Sequence, residues 1–318
     1  MAYRARMAPA ARSRVDLALV FTLTTVVLWA LNIPVVKLGL EGWNLIAFSF
    51  LRFGAAALIY MAYVLVREGS LRIQRRHVPM FLLAGTLGIT LNQLSFLYGL
   101  EKSTASTVTL MFATTPIWSA LLARALGWEH VKPLFWIAIG ISTAGVALVM
   151  VGTGAAVSSA SLEGALIALG APLTWGFYSV LIRPLLKVYS PFHVSAVMMA
   201  ISVPEIALLG IPQLADQDWG RLTPASWVAL AYALFLSLIL ANLLWFIAIR
   251  KAGSARAVAL MPLQPFLGVV FSALLLSERL DWKEAVGGLV IIVGVTLAVR
   301  SVIPVDDEHD VRATAGPD

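Results

Sequence analysis

The stretch Val78–Leu100, VPMFLLAGTLGITLNQLSFLYGL, contains no charged side chain. Because an α-helix rises about 1.5 Å per residue, roughly 20 apolar residues span the ~30 Å hydrocarbon core of a bilayer. The apolar residues are continuous and do not alternate with polar ones, as they would in a strand of a membrane barrel. The stretch therefore predicts a transmembrane helix.

The same pattern recurs along the chain and predicts ten helices, which we number one to ten in chain order. Two of the runs contain one internal charge each, Arg52 in helix two and Glu205 in helix seven. The runs are Leu17–Val36, Leu45–Leu65, Val78–Leu100, Ser103–Ala123, Pro133–Leu162, Gly164–Ile182, His193–Ile211, Leu222–Ile249, Ala257–Ser277 and Ala285–Val299.

The composition agrees with a membrane protein. Of the 318 residues, 60% are hydrophobic and 13% charged, and the mean hydropathy is +0.87. A soluble domain has about 45–50% apolar and about 25% charged residues, so a soluble enzyme and a disordered chain are both excluded. There is no cysteine, which excludes thiolate metal sites, and there is no P-loop or nucleophile elbow. We therefore expect an all-α integral membrane protein that is not an enzyme and needs no metal or cofactor.

The basic residues indicate the orientation. Of the 23 Lys and Arg residues, 17 fall in loops on one side of the predicted helices and five on the other. Because positive loops stay in the cytoplasm, both termini are predicted to be cytoplasmic, in a multi-pass protein of the inner (plasma) membrane. The pI is near 9.8, but the basic residues lie in short clusters between apolar runs, which predicts no nucleic-acid partner.

The chain divides into two matching halves. We predict a first five-helix repeat over 1–151 with a short basic N-terminal arm, a periplasmic linker over 152–161 and a second repeat over 162–300. A disordered acidic cytoplasmic tail follows over 301–318. Because five is an odd number, the second repeat enters the membrane upside down, as in many secondary transporters. Matched residues are 149 or 146 positions apart: Pro116/Pro265, Glu129/Glu278 and Gly145/Gly294, then Trp29/Trp175 and Lys37/Arg183.

Three stretches resemble the EamA family of the drug/metabolite transporter superfamily. They are WALNIPVVK at 29–37, SFLRFGAAAL at 49–58 and LSERLDWKEAVGGLVIIVGVTL at 276–297. The resemblance covers residues 16 to 300 and implies ten transmembrane helices that carry small metabolites, often amino acids or their derivatives, commonly outward. The sequence departs from the family pattern at Gly127–His130, which lacks the usual Gly-Glu-Arg order, and in helix seven, which has no counterpart of Arg52.

Polar side chains inside the predicted helices are candidates for substrate binding, because polar groups are costly in a membrane. Gln93 and Asn242 match at a spacing of 149, and Asn32 and Tyr178 match at 146. The alternative is that these groups only hydrogen-bond neighbouring helices together. The candidate substrate-binding residues are Asn32, Asn92, Gln93, Tyr98, Tyr178, Asn242 and Gln264.

Tryptophan and proline residues are candidates for gating or cavity lining: Trp29, Trp175, Trp245, Pro116 and Pro265. Each proline is predicted inside a helix, where it frees the carbonyl four residues earlier, that of Phe112 or Met261. A freed carbonyl beside a cavity can accept a hydrogen bond from an ammonium group. The alternative is a kink that only shapes the helix bundle.

The two charged residues inside the spans, Arg52 and Glu205, both fall in the outer half of the membrane. Arg52 either finds an interior partner or extends outward to the headgroups. Glu205 either faces the cavity, where it holds a substrate amine or carries the coupling proton, or is a protonated structural residue beside a helix kink at Pro204.

Together these features predict a secondary transporter of small metabolites, amino acids or related compounds, that works by alternating access, most simply as an exporter. Its partners are a small-molecule substrate and the lipid bilayer, and the sequence does not determine its oligomeric state, for example whether it is a monomer or a homodimer. Two alternatives stay open: a passive channel or facilitator, and a membrane sensor or scaffold that does not transport.

Overall fold

The computed structural model describes residues 9–152, 159–252 and 263–304. Within these ranges, eight helical segments are long and apolar enough to cross a membrane. Two shorter apolar helices, Pro133–Val149 and Leu263–Leu276, occupy the positions predicted for helices five and nine. The predictions of a helical fold and of a multi-pass membrane protein are therefore confirmed.

Five of the ten segments are helices without an internal break, helix seven contains the kink described below, and helix nine is described from Leu263. Their bounds are Pro9–Gly39, Leu45–Glu68, Pro133–Gly152, Ser159–Leu181, Pro191–Ala215, Leu263–Leu276 and Trp282–Arg300, with short helical turns at Arg75–His77, Arg183–Leu186 and Trp219–Arg221.

Helices three and eight each contain a π-helical segment. Helix three consists of Val78–Gly85, the π segment Thr86–Leu91 and Asn92–Lys102. In helix eight the π segment Tyr232–Leu240 lies between Pro224–Ala231 and Ala241–Ala252. The two π segments begin 146 positions apart and end 149 apart. The three-residue difference between the two repeat spacings therefore falls within them.

Helix four is broken into Ala105–Phe112 and Thr115–Ala125. Pro116 lies in the first turn of the second piece, where a missing N–H costs nothing. The carbonyl of Phe112 accepts a hydrogen bond from the Thr115 hydroxyl at 2.7 Å, because Pro116 has no N–H to donate to it. Its availability to a substrate ammonium group stays a prediction. Pro265 lies in the first turn of helix nine as described, and Met261 lies outside the described residues.

The kink in helix seven lies at Gly210 (φ −134°, ψ 17°) and not at Pro204. Pro212 follows two residues later and removes a helical hydrogen bond at this point. A Cβ on Gly210 would overlap the side chain of Ile46 in helix two. The glycine thus allows helices two and seven to approach closely, and the prediction of a kink at Pro204 is wrong.

The helices of the two halves pack against each other in equivalent pairs. Helix five packs on ten, two on seven, four on nine, three on six, one on eight, one on nine and four on six. If the halves are exchanged, the pair one–eight becomes three–six and the pair one–nine becomes four–six. The remaining pairs named here are unchanged, so the main contacts of the two halves are equivalent, whereas smaller contacts such as helix four on ten have no counterpart of similar size among the described residues.

The segment boundaries differ from the sequence prediction in three places. Helix one begins at Pro9, helix six is described from Ser159, and residues 302–304 form a strand, β2, paired antiparallel with β1 at Glu129–Val131. The prediction that the tail is disordered from residue 301 is therefore wrong for residues 302–304, because they pair with the backbone of β1. Residues 1–8, 153–158 and 305–318 lie outside the described part of the chain.

Candidate functional site

A buried arginine lies where helices two, three and eight meet. Arg52 is 5% exposed, and its Nε donates to the carbonyl of Ala233 in the π segment of helix eight at 3.3 Å. Its Nη1 donates to Oε1 of Gln93 in helix three at 3.5 Å. Arg52 therefore has interior partners and does not extend to the headgroups. Among the described residues, no ion pair includes it.

Glu205 is held by the π segment of helix three. The hydroxyl of Thr86 donates to one carboxylate oxygen at 2.5 Å, and the hydroxyl of Thr90 donates to the other. One turn before Glu205, Ser202 donates to the carbonyl of Gly85 at 3.3 Å. A hydroxyl both donates and accepts, so two threonines can satisfy this carboxyl whether it is ionised or protonated.

The π segment of helix eight also binds side chains of helix one. Trp29 Nε1 donates to the carbonyl of Ser237 at 3.0 Å, and its ring lies 5.7 Å from that of Trp245. The Tyr232 hydroxyl donates to the carbonyl of Leu28 at 2.9 Å. These contacts bring two of the candidate gating residues, Trp29 and Trp245, together at the interface between the halves.

Asn92 and Tyr178 lie at the interface of helices three and six. Asn92 Nδ2 donates to the carbonyl of Ala171 at 2.7 Å. The ring of Tyr178 lies on Gly88, where a Cβ would overlap it, and 4.9 Å from the ring of Trp175. Trp175 is 37% exposed, so it lies on the outer surface, unlike its match Trp29.

The remaining candidates are less closely associated with these contacts. The Nδ2 of Asn242 donates within its own helix, to the carbonyl of Leu238 at 2.5 Å. Tyr98 packs on the large apolar cluster formed by helices one to four and their neighbours. Gln264 is partly buried near the start of helix nine. Their roles in substrate binding stay predictions.

Some buried polar atoms in this region lack a hydrogen-bond partner among the residues that the structure describes. They include Oδ1 of Asn32, Oγ of Ser49 and Nε2 of Gln93. Ile33, beside Asn32, and Phe96, one turn from Gln93, belong to the same packed apolar cluster. Because an unpaired polar atom costs free energy when it is buried, atoms of this kind are places where a ligand gains binding energy.

The hydrogen bonds of both π segments join the two halves of the chain. Arg52 and Trp29 bond to helix eight, and Glu205 accepts from helix three. A π turn is found often at functional sites because it shifts the hydrogen-bond ladder. Sequence reasoning missed both π segments; the change from 146 to 149 in the repeat spacing was the signal that marked their position.

The structure also bears on metals. Among the residues it describes, no group of three or more His, Cys, Asp or Glu side chains is arranged to hold a metal ion. The candidate site therefore consists of one cation, one carboxylate, amides, hydroxyls and backbone carbonyls, which can bind a small polar molecule by hydrogen bonds.

Comparison with known proteins gives relatives named as transporters. A transporter of Archaeoglobus fulgidus, named as uncharacterized, is 25% identical over 275 residues, 86% of this chain and 94% of the relative. A probable terminal-alkyne amino-acid exporter of Streptantibioticus cattleyicolor is 26% identical over 276 residues, 87% of this chain and 91% of the relative. A WAT1-related protein of Arabidopsis thaliana is 25% identical, covering 85% of this chain and 79% of the relative.

A solved crystal structure has the same fold. It superposes with a TM-score of 0.59 at 20% identity and covers 89% of this chain and 98% of the other. The model of the EamA-like transporter family matches residues 16–151 and 162–300. These two matches together take in most of the chain, so this protein belongs to the EamA-like transporter family.

Proposed function

We propose that this protein is a secondary transporter that exports small metabolites, amino acids or related compounds, by alternating access. The observation that carries the proposal is that the main helix pairs between the two halves are equivalent when the halves are exchanged. Many secondary transporters consist of two inverted repeats that rock against each other around a site at their interface. An arrangement of ten transmembrane helices in two such repeats explains why the main helix pairs are equivalent in the two halves.

The hydrogen bonds between the halves support a substrate site at this interface. Arg52, Trp29 and Asn92 belong to the first half, and each donates to a backbone carbonyl of the second. Glu205 of the second half accepts from hydroxyls of the first. A rocking motion of one half against the other has to break and remake such bonds, so a substrate bound among them is coupled to the motion.

The chemistry of the site fits a zwitterion. It contains a buried cation in Arg52, a carboxylate in Glu205, an unpaired amide donor in Gln93 and an unpaired amide acceptor in Asn32. An amino acid has one carboxylate and one ammonium group and no net charge, which limits the cost of its passage through the membrane interior. The name of the Streptantibioticus cattleyicolor relative, an amino-acid exporter, supports this class and the outward direction.

Glu205 is the residue that we assign to energy coupling. Its two threonine partners can accommodate either protonation state, so it can bind a proton on one side of the membrane and release it on the other. In an alternative role it binds the ammonium group of the substrate. A structural role beside the kink at Gly210 is the third possibility, and substitution by Gln distinguishes it from the other two.

The excess of basic residues on one side supports an inner-membrane location with both termini in the cytoplasm. The linker at 152–161 then lies in the periplasm. An exporter in this orientation takes its substrate from the cytoplasm, where amino acids and their derivatives are made.

The test is transport by the purified full-length protein in liposomes. Each of the twenty amino acids is offered with and without a pH gradient, and protein-free liposomes are the control. We expect saturable transport of at least one amino acid, faster with the gradient. If the rates do not saturate and electrical conductance rises far above carrier turnover, the protein is a channel. Absence of any transport would contradict the proposal.

A further inference from the structure

The cluster around Arg52 has an excess of hydrogen-bond donors. Arg52 carries five N–H donors and no acceptor, and its two acceptors in the described part of the chain are a backbone carbonyl at 3.3 Å and an amide oxygen at 3.5 Å. Both acceptors are neutral and both distances are long. The ring of Phe53, 5.4 Å from the guanidinium carbon, adds only a weak attraction.

A buried cation requires a compensating anion. Removing a guanidinium from water costs several kcal/mol unless a counter-charge and good hydrogen bonds replace the solvent. Arg52 is 5% exposed within a membrane-spanning helix, yet no described carboxylate forms an ion pair with it. Glu205, the other charged residue that the sequence predicts inside a span, is bound by Thr86 and Thr90. The counter-charge of Arg52 is therefore missing from the described residues.

Other donors beside Arg52 are also unpaired. The Nε2 of Gln93 belongs to the same amide whose oxygen accepts from Arg52, is buried and has no partner in the described part of the chain. The Oγ of Ser49, one helical turn before Arg52, is buried and has no described partner either. Residues three apart lie on the same face of a helix, so Ser49 is a neighbour of Arg52, and Gln93 is joined to Arg52 through its amide oxygen. The unpaired groups of Ser49 and Gln93 are therefore both next to the guanidinium.

We propose that Arg52 and Gln93 bind the carboxylate of the transported molecule. A carboxylate accepts two parallel N–H bonds from a guanidinium and a further bond from the amide Nε2. One carboxylate neutralises the single positive charge of the cluster. A phosphate, with nearly two negative charges at neutral pH, would leave net charge in the membrane. The charge balance therefore selects a carboxylate.

This role rests on the proposed function, because it concerns the site of the same transporter, but binding tests it separately from transport. The probes are the twenty amino acids and their carboxamides, which differ by the loss of the negative charge. The measurement is the rise in melting temperature of the purified full-length protein at increasing ligand concentration, since a ligand that binds only the folded state stabilises it.

Two variants test the role. We expect Arg52→Gln to weaken the binding of the amino acid that stabilises the parent protein by at least tenfold and to leave the weak binding of its carboxamide unchanged. We expect Gln93→Glu to do the same, because a carboxylate attached to the protein would occupy the site. This second variant should melt at a higher temperature than the parent, so it remains informative if Arg52→Gln does not fold. Arg67→Gln, an exposed change at the end of helix two, is the control.

The outcomes separate the two proposals. If amino acids stabilise the parent and both variants lose this effect, but liposomes show no transport, the binding site stands and the proposed function fails. If the parent transports amino acids but Gln93→Glu binds them as tightly as the parent does, the assignment of Arg52 and Gln93 is wrong. If no amino acid stabilises the parent, or if each amino acid and its carboxamide bind equally, the assignment is also wrong.

Discussion

At the scale of single residues, the matched amides in helices three and eight offer a direct test of the substrate site. We predict that Gln93→Leu and Asn242→Leu each weaken amino-acid binding by about tenfold, because a hydrogen bond to a charged group contributes about 1.5–3 kcal/mol. Titration of the purified variants measures the affinity. Gln74→Leu, an exposed change outside the membrane segments, should bind as the parent does. If both Leu variants keep the parent affinity, the two amides only pack helices together.

Glu205 is tested by removing its charge and keeping its shape. In Glu205→Gln one side-chain oxygen remains to accept a hydrogen bond, but the side chain has neither a carboxyl proton to exchange nor a negative charge. We predict that transport by this variant no longer responds to a pH gradient and is at least tenfold slower. Glu163→Gln, a change in an exposed ion pair with Lys102, is the control. If Glu205→Gln transports with the rate and pH dependence of the parent, Glu205 is structural.

The residue scale also shows the limit of sequence reasoning. The prediction that Arg52 and Glu205 lie inside membrane helices follows from the apolar residues around them, which the bilayer requires. Their partners do not follow from the local sequence, since Arg52 bonds to a carbonyl 181 positions away and Glu205 to hydroxyls 119 and 115 positions away. Contacts at such separations depend on how the halves pack.

At the scale of helices, the start of helix four is capped by a residue from another segment. Glu278 follows helix nine and accepts from the backbone N–H of Ala105 and Ser106 at 2.9 and 3.0 Å and from the Ser106 hydroxyl at 2.7 Å. A carboxylate at these free N–H groups and at the positive end of the helix dipole stabilises helix four. Of the matched residues Glu129 and Glu278, Glu278 thus caps a helix that is distant from it in the sequence.

We predict that Glu278→Ala lowers the free energy of unfolding by about 1–2 kcal/mol, as the loss of a helix cap does. Thermal unfolding in detergent measures the change. Arg279→Ala, an exposed change at the next position, should leave the melting temperature within error of the parent value. Equal melting temperatures for Glu278→Ala and the parent would show that the cap contributes no stability.

The helices themselves were predictable to different degrees. Length and continuity of the apolar runs are sufficient for helices such as Leu45–Glu68, because a membrane fixes the length of a span. The π segments Thr86–Leu91 and Tyr232–Leu240 were not predictable from composition, since no proline or charge marks them. Pro116 led to a wrong expectation about helix four. A proline inside an apolar run predicts a kink within one helix, but here Pro116 lies in the first turn of a second helical piece.

At the scale of the whole molecule, the central claim is that the second half enters the membrane upside down relative to the first. The claim derives from the two repeat spacings and agrees with helix pairs that exchange between the halves. It requires an odd number of membrane crossings between the N-terminus and the linker. It also requires an odd number between the linker and the C-terminus.

Reporter fusions measure the topology directly. A reporter that is active only in the cytoplasm and one that is active only in the periplasm are fused after Ser159 and after Asp318. A fusion after Ser70, in the loop that follows helix two, calibrates the cytoplasmic signal. The account predicts a periplasmic reporter at Ser159 and a cytoplasmic reporter at Asp318. The same compartment at both positions would contradict the inverted repeat.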